Sequence, residues 1–157
     1  AGWRLDVADE LPMSFLRTLK KAVRDEKHDA LLLGEVWEDA SHKEAYNEVR
    51  CYCTGDTLDS TMNYPLRDAV ISFLCGRINA DQFVRQVEHM RDTQPLPFFY
   101  AEMNLLGSHD TPRAINMLAD IGDMAPDREY RNSELPAPHA ISDQCRDLQR
   151  IGQLKNR

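Results

Sequence analysis

Three carboxylates stand out: Asp6, Glu35 and Asp110, carried by the short stretches Gly2-Trp3-Arg4-Leu5-Asp6, Gly34-Glu35-Val36-Trp37 and Gly107-Ser108-His109-Asp110. Each follows an apolar run that reads as a β-strand. Acids gathered at strand ends suit cleavage of an acetal linkage. That reaction passes through an oxocarbenium-like transition state, so one carboxyl must protonate the leaving oxygen while a second attacks or stabilises the anomeric carbon. Arg4 lies two residues before Asp6, hence on the same side of an extended strand, and suits an ionised nucleophile. Glu35 follows Ala30-Leu31-Leu32-Leu33 and precedes Trp37, apolar surroundings that suit a protonated general acid. A single acid at a strand end is more often a helix cap or a solvated loop residue. The combination of three is far more specific.

The wording around these acids narrows the reading. Trp3-Arg4-Leu5-Asp6-Val7-Ala8-Asp9-Glu10-Leu11-Pro12, Met62-Asn63-Tyr64-Pro65 and Asn104-Leu105-Leu106-Gly107-Ser108-His109-Asp110-Thr111-Pro112-Arg113 resemble segments of the α-amylase superfamily of retaining glycoside hydrolases. The branch they resemble is that of neopullulanase and cyclomaltodextrinase, and the resemblance runs through nearly the whole chain. It implies that Asp6 is the nucleophile, Glu35 the acid/base, and Asp110 the third acid, which binds sugar hydroxyls and supports the distorted transition state. It further implies that Arg4 holds Asp6 and that His109 hydrogen-bonds the sugar at the cleavage subsite. Trp37 has two readings, a stacking face for a sugar or a tryptophan packed under its loop. The family's segment with an Asp and a His on the third strand has no counterpart here.

The elements that must carry these residues follow from periodicity. Gly2 to Ala8 alternates like a barrel strand, with Arg4 and Asp6 on one side and Trp3, Leu5 and Val7 on the other. Leu11, Phe15, Leu16, Leu19, Ala22 and Val23 recur at helical spacing, with Lys20, Arg24 and Asp25 between them, predicting a helix over 12–26. Residues 30–36 form the next strand, and 40–56 a polar excursion with one short helix. Residues 57–64 read as the third strand. Pro65 suits the first position of a helix bearing Val70, Ile71, Phe73 and Leu74 and closed by Gly76. Asn79 caps another, to about Arg91, with Phe83, Val84, Val87 and Met90 inward; Pro95 and Pro97 break the pattern. Residues 103–106 are the fourth strand and Pro112 starts the following helix. A loop over 123–138 and a final helix with Ile141, Cys145, Leu148, Ile151 and Leu154 complete the chain.

The expected fold class is therefore α/β: a partial (β/α)8 TIM barrel of about four consecutive β/α units, strands 4 to 7 of the parent barrel as the resemblance numbers them. The chain has 157 residues, against roughly 250 for a complete barrel. It is expected to be a single fragment over 1–157, with the N-terminal strands, the eighth strand and the C-terminal β domain absent. Unpaired strand edges of a half-barrel predict a homo-oligomer and little activity in isolation.

Composition excludes other classes. A net charge of −7 opposes nonspecific nucleic-acid binding, and no segment approaches the roughly 20 apolar residues that cross a bilayer. Cys51, Cys53, Cys75 and Cys145 lack metal-ligand spacing and read as structural or incidental thiols, which suits a reducing cytoplasm. His28, His42, His89 and His139 are scattered, and neither a cofactor nor an essential metal is expected. The substrates implied by the resemblance are α-1,4 or α-1,6 glucans such as cyclodextrins, pullulan or maltooligosaccharides. Two alternatives are an α-glucan transglycosylase, in which a sugar hydroxyl replaces water, and a non-enzymatic amylase-like scaffold. The scaffold reading sits poorly with the presence of all three acids.

Overall fold

A β-strand, β1 (Gly2–Leu5), opens the chain and leads through a 3₁₀ turn at Ala8–Glu10 into helix α1 (Met13–Glu26). The computed structural model describes residues 2–119. Strand β2 (Leu31–Gly34) follows, then a hairpin of β3 (Glu44–Ala45) and β4 (Glu48–Val49), a 3₁₀ turn at Tyr52–Thr54, and β5 (Ser60–Asn63). Helices α2 (Tyr64–Leu74), α3 (Ala80–Thr93) and α4 (Leu96–Ala101) precede β6 (Met103–Asn104), and α5 (Ala114–Leu118) comes last. These residues divide into two units, 2–66 with 86–105 and 67–85 with 106–119. The expected loop over 123–138 and the final helix lie outside the described residues.

In the first unit β1, β2, β5 and β6 pair in that order, all parallel. Each strand joins its predecessor after a helix or an excursion, which is the β/α alternation read from the sequence. Among the described residues the sheet does not close. Gly2 sits where a Cβ would lie 2.1 Å from the Leu31 carbonyl oxygen, so only glycine lets β1 approach β2 there.

The core of this unit gathers Met13 and Leu16 of α1 with Leu32, Val36, Tyr52, Leu58 and Phe98. Two members of the predicted α1 pattern behave otherwise. Phe15 is exposed, whereas Lys20, placed on the polar side by spacing alone, is buried. Lys20 can be buried because Asp59, one residue before β5, accepts a hydrogen bond from its ammonium; Asp59 also takes Arg24 Nη2 at 2.5 Å and the Leu32 N–H at 2.8 Å. Burial by itself would raise the Asp59 pKa, but these donors hold it below the usual carboxylate range. A satisfied buried charge thus ties α1 to β2 and β5.

Caps match the sequence closely. Asn63 accepts the Leu66 N–H at 3.0 Å, so α2 starts at Tyr64, one residue before the expected Pro65. In the second unit, Gly76 takes φ 69°, and the Arg77 N–H reaches the Ser72 oxygen at 2.9 Å, closing α2 in a Schellman motif. Asn79 and Gln82 exchange two 2.9 Å bonds as a capping box for α3. Of the residues expected inward on α3, Met90 is buried but Val84 is exposed, and Phe83 lies against Phe73 with ring centroids 5.2 Å apart.

Three elements depart from expectation. The excursion over 40–56 holds a hairpin, whose turn places Tyr46 and Asn47 at φ 56° and 60°. Pro95 and Pro97 do end α3, yet they also start α4, because the first turn of a helix needs no N–H from proline. The strand β1 stops at Leu5 rather than at Ala8, because the chain turns sharply at Val7.

Candidate active site

Arg4, Asp6 and Glu35 meet at the carboxyl ends of β1 and β2, as parallel pairing of Leu5 with Gly34 requires. The Arg4 guanidinium bridges the two acids: Nη1 donates to Asp6 Oδ1, and Nη2 lies 3.1 Å from Glu35 Oε2. Partial burial would lower the Arg4 pKa, but its hydrogen bond to Asp6 and the charge of Glu35 raise it above the usual value. The Asp6 side chain is 72% exposed and that of Glu35 only 4%, so one acid faces outward and the other is enclosed.

The enclosure of Glu35 is polar, which corrects the expectation of apolar surroundings. Its Oε2 accepts the Val7 N–H at 2.7 Å in addition to Arg4. The main chain of Glu35 is fixed as well: its N–H donates to the Leu5 oxygen at 3.0 Å, and its carbonyl accepts the Ala8 N–H at 3.1 Å. Sequence spacing placed Ala30 to Leu33 near Glu35 but could not show that the chain after Asp6 folds back over it. It does so because Val7 adopts φ 45° and ψ 56°, a left-handed conformation rare for a β-branched residue. Such a residue carries a cost of order 1–3 kcal/mol that its surroundings must offset.

Trp37 is half-exposed and packs on a neighbouring aromatic ring. Its indole stacks on Tyr64 at 4.3 Å between centroids and 4° between planes, yet the residue stays 42% exposed. In the second unit His109 and Asp110 are brought to each other, with Nε2 and Oδ2 3.0 Å apart. The Ser108 N–H donates to Thr111 Oγ1 at 2.9 Å and the Asp110 N–H to Ser108 Oγ at 3.2 Å, which fixes the turn that presents Asp110.

Sequence reasoning passed over Glu102. It lies in the first unit, one residue before β6, and accepts hydrogen bonds from Asn63 Nδ2 at 2.6 Å and from Thr61 Oγ1 and Gln94 Nε2 at 3.3 Å. Burial pushes its carboxyl up to about 7, with the charge of Asp39 adding to the rise and the three donors opposing it. The available signal was the polar pair Glu102 and Asn104 flanking Met103, an alternation that extends the strand pattern by one residue. Among the described residues no group of three or more His, Cys, Asp or Glu side chains converges as a metal site would.

Residues 1–137 match the α-amylase catalytic domain. The chain is 39% identical over 117 residues to a cyclomaltodextrinase of Geobacillus thermopakistaniensis, a match covering 74% of this chain and 18% of that protein. It is 40% identical over 113 residues to neopullulanase 2 of Thermoactinomyces vulgaris, covering 71% of this chain and 18% of the relative. A solved cyclic alpha-maltosyl-(1→6)-maltose hydrolase from Arthrobacter globiformis superimposes with a TM-score of 0.67 at 32% identity, covering 78% of this chain and 26% of that one. The chain thus spans 18% of the length of each of these two curated relatives.

Proposed function

The chain belongs to the α-amylase catalytic-domain family, and from that premise we propose that it carries the acid pair of a retaining hydrolase of α-glucans. The substrates are cyclodextrins, pullulan-like polymers or maltooligosaccharides linked α-1,4 or α-1,6. The relatives named above are a cyclomaltodextrinase, a neopullulanase and a hydrolase of a cyclic maltosyl-maltose. The activities for which they are named support this substrate class.

One observation carries the mechanistic part: a single guanidinium spans Asp6 and Glu35. That suits the short carboxylate spacing of retaining enzymes, about 5–5.5 Å, over the roughly 6.5–9.5 Å that inverting enzymes need to seat a water. In this reading Asp6, exposed and held by Arg4, attacks the anomeric carbon and forms a glycosyl ester. Both donors to Glu35 converge on Oε2, so the transferable proton belongs on Oε1. Glu35 gives that proton to the departing glycosidic oxygen, then takes one from the water that cleaves the ester. Asp110 binds sugar hydroxyls, His109 assists it, and the open part of Trp37 stacks on a sugar ring.

The test is to follow maltotriose and β-cyclodextrin cleavage by proton NMR in the full-length protein, recording the anomer released before mutarotation. The α-anomer is expected first, and Asp6→Asn should lower kcat by at least about 10³-fold. An initial β-anomer, or an Asp6→Asn variant that keeps its activity, would overturn the assignment.

A further inference from the structure

We propose that Arg50 is a positioning residue for the acid pair, its guanidinium pinning the turn after Asp6 so that Val7 presents its N–H to Glu35. This deepens the reading of Glu35 as acid/base and rests on it. The turn from Val7 to Leu11 starts in a left-handed conformation that valine disfavours, so something outside it must hold it there. Arg50 does so from the excursion after β2. It is 3% exposed, and its Nη2 donates to the carbonyl oxygens of Leu11 and, at 3.5 Å, of Ala8. Its Nε donates to Tyr52 Oη at 3.0 Å, and Nη1 pairs with Glu48 at 3.2 Å.

The same excursion grips the turn a second time. Tyr52 Oη donates to Asp9 Oδ1 at 2.6 Å, and Lys43 Nζ lies 3.1 Å from Asp9 Oδ2. The hairpin of β3 and β4 sets the register, because the Arg50 N–H bonds the Lys43 oxygen at 2.8 Å. A planar fork with five donors can serve two carbonyls, a hydroxyl and a carboxylate together; a lysine cannot. Force applied at Ala8 and Leu11 reaches the chemistry through two bonds: Val7 N–H to Glu35 Oε2 and Ala8 N–H to the Glu35 carbonyl. Slackening the clamp lets Val7 relax toward the extended region and withdraws its N–H.

The test uses Arg50→Met and Arg50→Lys in the full-length protein, with maltotriose as probe. Misplacing a reacting group by about 1 Å costs on the order of 10²-fold in rate, so kcat should fall about 30- to 100-fold while KM moves less than about threefold. Hydrogen exchange at the Val7 and Ala8 amides should quicken about tenfold or more. Adding Val7→Gly to Arg50→Met should recover about five- to tenfold in kcat, since glycine takes the left-handed turn without being held. Unchanged exchange at Val7 and Ala8, or a kcat loss that Val7→Gly leaves untouched, would overturn the proposal. Should Arg50→Met not fold, Tyr52→Phe removes the hydroxyl that joins Arg50 to Asp9, Asp9→Asn weakens the pair with Lys43, and both variants are read in the same way. A wild-type protein that cleaves no glucan would sink the assignment of the acids, while the exchange measurement would still decide the clamp.

Discussion

Arg4 is the residue on which the acid pair turns. Its two terminal nitrogens serve two carboxylates at once, a task that depends on a planar fork rather than on charge alone. Arg4→Lys should therefore keep the fold and the charge but lower kcat/KM about 10²-fold, measured on maltotriose with circular dichroism as the control for folding. Glu102 makes a second prediction, about stability. Its folded pKa of about 7 lies above its ordinary value, so its contribution is fully present below the ordinary carboxylate pKa and is lost as pH rises through about 7. Glu102→Gln should match the wild type near pH 4 and exceed it at pH 8 by about 1–2 kcal/mol, after discounting for the water that reaches a half-buried group. Urea unfolding at a series of pH values measures that difference; a constant gap would show that Glu102 does not titrate in this window.

Elements were legible where their residues act locally. The caps at Asn79 and Gly76 and the helical stripe around Leu16 depend on neighbours a few positions away, so α1, α2 and α3 could be read from spacing. Where a partner lies far along the chain, the reading failed. Lys20 looked like a surface residue because Asp59 is 39 positions distant, and the polarity around Glu35 comes from a turn whose backbone no propensity forecasts. The Tyr46-Asn47 hairpin also escaped notice, since Asn suits its turn while the bulky Tyr46 does not announce it. Asp6 and Glu35 could be picked out as candidates by residue type, but the contacts that orient them could not. Lys20 and Asp59 allow a test at this scale. Asp59→Ala should destabilise by about 3–5 kcal/mol, because it leaves a buried ammonium unpaired, and Lys20→Met in the same chain should restore only the part due to Lys20, since Arg24 and the Leu32 N–H also lose their acceptor. Thermal unfolding of the two single variants and the double variant provides the cycle; a simple sum of losses would show that the pair is not coupled.

For the molecule as a whole, the sheet leaves one side of β1 and one side of β6 unpaired among the described residues, with Trp3 exposed at the first edge. Such edges template association, so this chain expressed alone should run larger than a monomer in light scattering at micromolar concentration, and a strictly monomeric chain would refute that expectation. The strand order has another consequence. Because β1, β2, β5 and β6 are paired in the order they occur in the chain, each of β2, β5 and β6 finds its neighbour already made as synthesis proceeds. The stretch between β2 and β5 can lengthen without disturbing that sequence, since doubling a flexible connection adds only about 0.6 kcal/mol of closure entropy. Evolution can thus rewrite the exposed hairpin around Tyr46 while Arg50, Tyr52 and the folding route of the sheet stay the same.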